Sequence, residues 1–440
     1  MPGRGADAEG GGRRPIRLTR AATAKLAGYS SLAALGLFTG IASGRAELVV
    51  LATPFVLVLA FGLVTGTTPT LDIRVDVGAV RALEGDEVPV LITLEAATRI
   101  ERLELSLAVP RDTEATGDTS FGLSLRSGEP RELETRLRLP RWGVYRLGRV
   151  GLAVFDRLGL FVFERELPAG HLVRVYPKEE RLREIVRPLE TQLYVGNLVA
   201  RQKGEGIEFA DLRLYQPGDR VRRVNWKATA RRGALVVNEE HPERNTAVVL
   251  LLDSFAEARL GQAGTLDQGV RATSALAGAY LRRRDQVGLL SFGGSMNWLE
   301  PSLGTVQLYR IAEALLDTEV VLSYVWRDIR VIPTHVLPPK ALVLGLTPLL
   351  DERMVNALVD VRGRGADVAA IEIAPEPFLR VADGEQAQLA YRLWKLRRAS
   401  VRNRFRRLGV PVVQWRFGDA LEPVLEEVSA FRRFARATRA

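Results

Sequence analysis

Residues 246–253 read TAVVLLLD, six consecutive apolar residues closed by an acid. A short run without polar alternation has both faces buried, which suits a strand inside a parallel sheet better than a half-exposed antiparallel one. Working outward, 268–284 reads as a helix and 286–292 (QVGLLSF) as the next strand. A helix over 306–316, a strand at 340–346 (KALVLGL), a helix over 351–363 and a strand at 367–373 (DVAAIEI) follow, with a fifth strand at 410–415. Strands alternating with helices in this way predict an α/β domain over 246–440 with a doubly wound parallel sheet, whose ligand or partner crevice lies at the carboxyl ends of the strands.

The chain has 440 residues, no cysteine and three histidines, His171, His241 and His335. That excludes disulfides, thiolate metal sites and a cysteine nucleophile, and makes a multi-histidine metal centre a poor reading. The net charge of +10 favours nucleic acid, anionic lipid or an acidic protein partner, and only its distribution separates these.

Upstream, residues 26–43 (LAGYSSLAALGLFTGIAS) and 48–66 (LVVLATPFVLVLAFGLVTG) carry no charge. Each approaches the ~20 apolar residues that cross a bilayer. The link between them, Gly44-Arg45-Ala46-Glu47, is too short for anything but an antiparallel hairpin. Glycine, serine and alanine in the first stretch suit close helix packing in lipid. Arg4, Arg13, Arg14, Arg17, Arg20 and Lys25 precede the hairpin against Asp7 and Glu9. The positive-inside rule then predicts a transmembrane hairpin over 25–67 with both chain ends in the cytoplasm. The alternatives are a signal peptide and a buried helical hairpin. Residues 1–24 read as a disordered basic tail.

Residues 70–178 alternate apolar and polar positions in short runs, at 71–77, 88–94, 100–109 and 133–139, with further strands in 143–176. This predicts a β-sandwich-like domain. Asp156-Arg157-Leu158-Gly159-Leu160-Phe161 interrupts it as a turn in which Asp and Gly serve backbone geometry. No catalytic constellation lies in this region.

Between the two domains, 179–245 forms a segment of its own. Residues 204–244 read GEGIEFADLRLYQPGDRVRRVNWKATARRGALVVNEEHPER, polar and basic yet holding Phe209, Tyr215 and Trp226. A tryptophan among Arg and Lys is either a base-stacking surface or a ring packed against its own domain with arginine stems lying along it, beside protein contacts. Carboxylates interleaved with the bases (Glu208, Asp211, Glu239, Glu240, Glu243) favour the second, and no nucleic-acid partner is expected.

The order of these residues resembles the hallmark of the domain-of-unknown-function 58 family: G-x-G-x-E-F, R-x-Y-x-P-G-D, then V-x-W-x-x-T-A-R before a strand. Here these are Gly204, Gly206, Glu208, Phe209, Arg213, Tyr215, Pro217, Gly218, Asp219, Val224, Trp226, Thr229, Ala230 and Arg231. The resemblance spans roughly 26–435, and it implies a membrane anchor at the bacterial inner membrane and a soluble part in the cytoplasm. It also implies an adaptor role beside a MoxR-type AAA+ ATPase, with other membrane or envelope proteins as clients. The partner face would comprise Arg213, Tyr215, Asp219, Trp226, Lys227 and Arg231, residue types that make binding hot spots. The α/β domain resembles a von Willebrand factor A domain, whose adhesion-type metal site begins D-x-S-x-S. This chain has Asp253-Ser254-Phe255-Ala256-Glu257, Gly304-Thr305 in the threonine loop, and Gly345-Leu346-Thr347-Pro348 where an acid belongs. The site is therefore degraded. It is either metal-free, so that no cofactor is expected, or a remnant in which Asp253, Glu257 and Thr305 hold Mg.

Residues 389–408 carry eight Lys or Arg and no acid, with apolar residues at helical spacing. They read as a helix of the α/β domain with a solvated basic face, or alternatively as a contact with anionic lipid. There is no phosphate loop and no nucleophile elbow. The expectation is a non-enzymatic membrane-tethered adaptor; the alternatives are a metal-dependent hydrolase using Asp253 and Glu257, and a nucleic-acid binder using the Trp226 region.

Overall fold

The computed structural model describes residues 18–65, 68–178, 180–188, 208–216, 224–241, 247–293, 296–320, 335–338 and 340–437. The chain divides into two compact units, Met1–Tyr176 and Pro177–Ala440.

The first unit opens with two helices, α1 (Ala24–Ser43) and α2 (Ala46–Thr65), both long and apolar enough to cross a membrane. Gly44, in the left-handed region at φ 68, closes α1 and turns the chain back. The helices approach closely because α1 presents glycines to α2. A methyl group at Gly36 would lie 2.7 Å from Ala52 Cβ, and one at Gly40 would lie 2.6 Å from Val49 Cγ2. Large apolar side chains such as Phe38, Ile41, Leu51 and Val64 point outward and are exposed.

The rest of this unit is built of short strands. Leu71–Val77, Glu87–Ala96, Arg131–Arg138 and Glu114–Thr116 form one antiparallel sheet. A second sheet has the order Thr19–Ala22, Phe161–Leu167, Val150–Phe155, Ile100–Leu107 and Ser120–Leu125. Arg81–Leu83, His171–Tyr176 and Gly143–Leu147 make a third, smaller one. Alternation sends Val88, Val90, Ile92 and Leu94 of one sheet inward against Leu103, Leu105, Leu152 and Val154 of the other, in one shared core. At ~25 cal/mol per Å² this burial, not strand propensity, holds the sheets together.

Residues 19–22 correct the expectation of a disordered tail over 1–24. They pair antiparallel with Phe161–Glu164 at the sheet edge. All four are exposed, so no apolar pattern marks them; edge pairing needs only backbone groups. This strand delivers the chain to α1 through the turn at 156–161. Asp156 Oδ1 accepts from Phe161 N at 2.7 Å, and Gly159 sits at φ 68. The turn's carbonyls face the helix start: Thr23 Oγ1 donates to Gly159 O (2.7 Å) and Leu160 O (3.0 Å), and Lys25 Nζ donates to Leu158 O (2.7 Å). A methyl at Gly62 of α2 would collide with Leu160 Cδ1. Leu26, Tyr29, Val58 and Leu59 pack on the sandwich core. The base of the helical pair and the sheets are one packed body.

In the second unit, residues 182–188 lie along its helices rather than in a separate segment. Tyr280 Oη donates to Val186 O at 2.6 Å, and Arg432 Nη1 donates to Arg187 O at 2.7 Å. A hairpin of β1 (Glu208–Leu214) and β2 (Val236–His241) encloses the short helix α3 (Trp226–Arg232). Then come β3 (Ala247–Ser254), α4 (Thr265–Arg282), β4 (Gln286–Gly293), β5 (Met296–Ser302) and α5 (Gly304–Leu316). After them run β6 (Leu342–Thr347), α6 (Glu352–Gly363), β7 (Asp367–Ile373), α7 (Glu385–Arg407), β8 (Val412–Trp415) and α8 (Leu421–Ala437).

The six-stranded sheet has the order β5-β4-β3-β6-β7-β8, parallel except for the edge strand β5. The parallel strands coincide with the continuous apolar runs, and β3 is buried from Val248 to Ser254. Strand β5 was not foreseen, because Met296–Ser302 is mostly half or fully exposed and has no apolar run. The order reverses between β3 and β6, whose neighbours lie on opposite sides, so the switch point falls at the carboxyl ends of those two strands.

Candidate functional site

Two places bring the sequence-derived residues together. The first is the hairpin β1–β2 with α3. Asn225 caps α3, its Oδ1 accepting from Ala228 N at 3.0 Å, and Gly233 ends it at φ 66. Thr229 Oγ1 accepts from Val236 N at 3.0 Å. Asn225 N donates to Val236 O and Tyr215 N to Leu235 O, both at 2.8 Å. Val224, Val236 and Val237 are buried beneath. Thr229 and Gly233 therefore shape the element, and what it presents is Trp226. That ring is 64% exposed, with Leu214 and Leu235 also exposed and Lys227 and Arg231 exposed on the same helix. Arg213 and Tyr215 are half-buried, and Arg213 Nη1 donates to Leu214 O at 3.1 Å. Asp219 lies outside the described residues, as do Pro217 and Gly218.

The second place is the switch point. Asp253, at the end of β3, is buried. Its Oδ1 accepts from Phe255 N at 3.0 Å, and its Oδ2 accepts from Thr347 Oγ1, at the end of β6, at 2.5 Å. Thr347 in turn accepts from Leu349 N at 2.9 Å. Burial pushes the Asp253 carboxyl up to about 7, against the Thr347 and Phe255 hydrogen bonds, which lower it; Asp351 raises it further and Arg353 lowers it. Phe255 fills the space beside this aspartate, edge-on to Phe292 at 4.9 Å. The Arg353 guanidinium lies over the Phe255 ring at 4.2 Å and pairs with Asp351 at 2.8 Å. Burial works to raise Asp351, but the hydrogen bonds and charge of Arg353 outweigh it and hold that carboxyl below the usual range.

Beside it, Glu372 of β7 is fully buried and takes Arg398 and Arg402 of α7. Arg402 Nη1 reaches its two oxygens at 3.0 and 3.2 Å. Arg398 also donates to Pro348 O at 2.8 Å, just before Leu349, a non-glycine residue held at φ 51. Strain of this kind persists only where neighbours over-determine it, here Thr347 and Arg398.

Glu257 and Thr305 do not join Asp253. Glu257 Oε1 is 3.6 Å from Arg259 Nη1, and its other oxygen faces Gly264. Thr305 is exposed in the first turn of α5. The charges bearing on Asp253 are those of Asp351 and Arg353. A divalent ion needs six or more oxygen ligands. Asp253 is buried, Glu257 and Thr305 bring it no further oxygen, and a cationic guanidinium stands alongside, so the described donor set does not fit a metal. Among the described residues no group of three or more His, Cys, Asp or Glu is placed to hold one. Thr347, Arg353, Glu372 and Arg398 are the members that sequence reasoning missed. Thr347 stood where an acid was sought, Arg353 was read only as part of the helix over 351–363, and Arg398 only as part of the basic stretch 389–408.

The basic stretch 389–408 falls largely within α7. Its inner face carries Arg398 and Phe405, both buried, and its outer face exposes Leu389, Leu393 and Leu396.

Residues 211–406 match the model of the family described as "Protein of unknown function DUF58". That stretch runs from within β1 nearly to the end of α7. The "Uncharacterized protein YeaD" of Bacillus subtilis (strain 168) is 33% identical over 88 residues, 20% of this chain and 21% of that protein. The chain thus matches about a fifth of that relative's length. Among solved structures, the cupredoxin domain of amoB from Nitrosocaldus yellowstonii aligns over 24% of this chain and 86% of its own, at 13% identity and a TM-score of 0.18. A non-cellulosomal cohesin from Archaeoglobus fulgidus aligns over 24% and 85%, at 15% identity and a TM-score of 0.16. Scores this low carry nothing about fold or function. The hairpin with its exposed tryptophan and the switch-point crevice both lie in the matched stretch, so it is over residues 211–406 that the chain is similar to the DUF58 family.

Proposed function

We propose that this protein is a non-enzymatic adaptor, anchored in a membrane by α1 and α2, that presents its second unit to a MoxR-type AAA+ ATPase in the cytoplasm. The observation that carries the reading is Trp226, 64% exposed on a small element whose buried valines and hydrogen bonds fix its position. An exposed large aromatic flanked by Lys227 and Arg231 is the composition of a protein-binding hot spot. Such exposure departs from packing of the ring on its own domain and supports the protein-contact half of the sequence reading.

Supporting the membrane anchor, the glycine-mediated packing of α1 on α2 joins them as a pair, which a cleaved signal sequence would not need. Supporting a von Willebrand factor A-like fold, the sheet runs 3-2-1-4-5-6 with an antiparallel third strand. The metal site of such a domain would here be replaced by the Asp253–Thr347 hydrogen bond, with the Arg353–Asp351 pair alongside.

The full chain, solubilised in mild detergent and used as bait in lysate, is expected to retain an AAA+ ATPase. Trp226→Ala should lose it while melting unchanged. Retention undiminished by that substitution would reject the Trp226 face, and a folded bait that retains no ATPase would reject the partner.

A further inference from the structure

We propose that the outward face of α7 is a membrane-contact surface, on which Leu389, Leu393 and Leu396 enter the headgroup region of a bilayer rich in anionic lipid. This rests on the reading of α1 and α2 as an anchor that keeps the chain beside a bilayer. The basic stretch 389–408 makes up most of this helix, and the adaptor role leaves it without a task.

The three leucines stand at i, i+4 and i+7, so they form one stripe along the helix. They are 58%, 58% and 66% exposed, and the opposite face carries the buried Arg398 and Phe405. The helix cannot roll to hide the stripe. Arg398 and Arg402 are held by the buried carboxylate of Glu372, and Arg398 also donates to Pro348 O at 2.8 Å. Turning the leucines inward would leave that carboxylate buried without its cations, which is strongly unfavourable.

The charge around the stripe is mostly of one sign. At about 3.6 residues per turn, Arg392 and Arg404 lie about 60° to either side of Leu389, and Arg407 continues its line about five turns on. Lys395 and Arg406 stand further round the same helix. Among the described residues none of these five is in an ion pair; the paired cations of α7 are Arg397, Arg398 and Arg402. The acids beside the stripe are Glu385, in the first turn of α7, and Glu352, which Arg397 already neutralises. A positive surplus therefore remains.

Leucines bordered by Arg and Lys are what an interfacial helix presents to lipid, and basic residues near an anionic leaflet strengthen its hold. A protein partner fits this face less well. Leucine is under-represented among binding hot spots. The aromatic rings of the helix, Tyr391 and Trp394, are half-buried and stack on one another at 5.7 Å.

The test uses the full chain in nanodiscs, one set of phosphatidylcholine alone and one with an equal part of phosphatidylglycerol, both with a nitroxide on some phosphatidylcholine headgroups. The chain has no cysteine. Ser400→Cys, exposed about one turn beyond Leu396, therefore takes a single bimane fluorophore and leaves the leucines in place. The nitroxide should quench it in the discs with phosphatidylglycerol, and the quenching should be lost in phosphatidylcholine alone. Arg392→Gln with Arg407→Gln should weaken the contact about twenty-five-fold, at about fivefold per basic residue near an anionic surface. Leu389→Gln with Leu393→Gln should also remove the quenching, and all four positions are exposed, so folding should be unaffected. No quenching with phosphatidylglycerol, equal quenching in the two lipids, or quenching undiminished in either double variant would each overturn the surface. Extraction from membranes by alkaline carbonate separates the two readings: release overturns the anchor, whereas an anchored chain without quenching overturns the α7 contact alone.

Discussion

The buried pair Glu372–Arg398 offers the sharpest test of how the crevice is held. Glu372 is fully buried and Arg398 is 5% exposed. Substituting Glu372→Gln keeps the shape and removes the charge. Arg398 then retains the carbonyl of Pro348 at 2.8 Å and the more distant Glu376 carboxylate at 3.8 Å. Breaking a buried pair by removing one partner costs about 3–5 kcal/mol, and the remaining Glu376 argues for the lower end, about 3 kcal/mol. At about 2–4 °C per kcal/mol for a unit of this size, the second unit should melt about 6–12 °C lower. Arg398→Met should cost less, about 2 kcal/mol, because Glu372 keeps Arg402 at 3.0 Å. Combining Glu372→Gln with Arg398→Met removes both charges and should recover at least about 2 kcal/mol relative to the sum of the single costs. The assay is thermal unfolding of the full chain followed by tryptophan fluorescence, since Trp394 lies 4.8 Å from the Arg398 guanidinium. Additivity within about 0.5 kcal/mol would refute the claim that this pair, rather than packing alone, secures α7 to the sheet.

Four further outcomes follow from the structure. Asp253 is held up to about 7 and Asp285 to about 6, mainly by burial. A carboxyl raised in the folded state stabilises fully below its unfolded value and less as pH rises, so the second unit should lose stability between about pH 4 and 7. Asp253→Asn should remove most of that slope, of order 4 kcal/mol for about three units at ~1.36 kcal/mol each; a melting curve with an unchanged slope counts against it. Trp226→Ala, at a 64% exposed position, should shift stability by no more than about 0.5 kcal/mol, and a large drop in melting temperature would mean the ring is structural. Gly159→Val, at φ 68, should destabilise the first unit by at least about 1–2 kcal/mol, read by proteolysis of the sandwich. Stripping divalent metal with a chelator at pH 8 should leave the melting temperature of the second unit unmoved, whereas a fall would restore a metal to the Asp253 site.

Much of the architecture was legible because burial writes a simple pattern. Continuous apolar runs marked the parallel strands β3, β4, β6 and β7, and alternation marked the sandwich. What escaped was held by groups that leave no such pattern. Thr19–Ala22 pairs through backbone alone, and Met296–Ser302 is an edge strand with mixed polarity. At the site, Asp253 and Trp226 stood out by residue type and position. The partners that define their chemistry did not, because Thr347, Arg353 and Arg398 lie 94, 100 and 145 residues beyond Asp253 and meet it or its neighbours only through the sheet order.

The turn at 156–161 has a mechanical consequence. Its carbonyls grip Thr23 and Lys25 at the start of α1, and Leu160 lies against Gly62 near the end of α2. Both helices are thus clamped at the same end by one short loop, not hung from a slack tether. A torque applied to the sheets therefore reaches the helical pair through these contacts, at the end where both helices meet the loop.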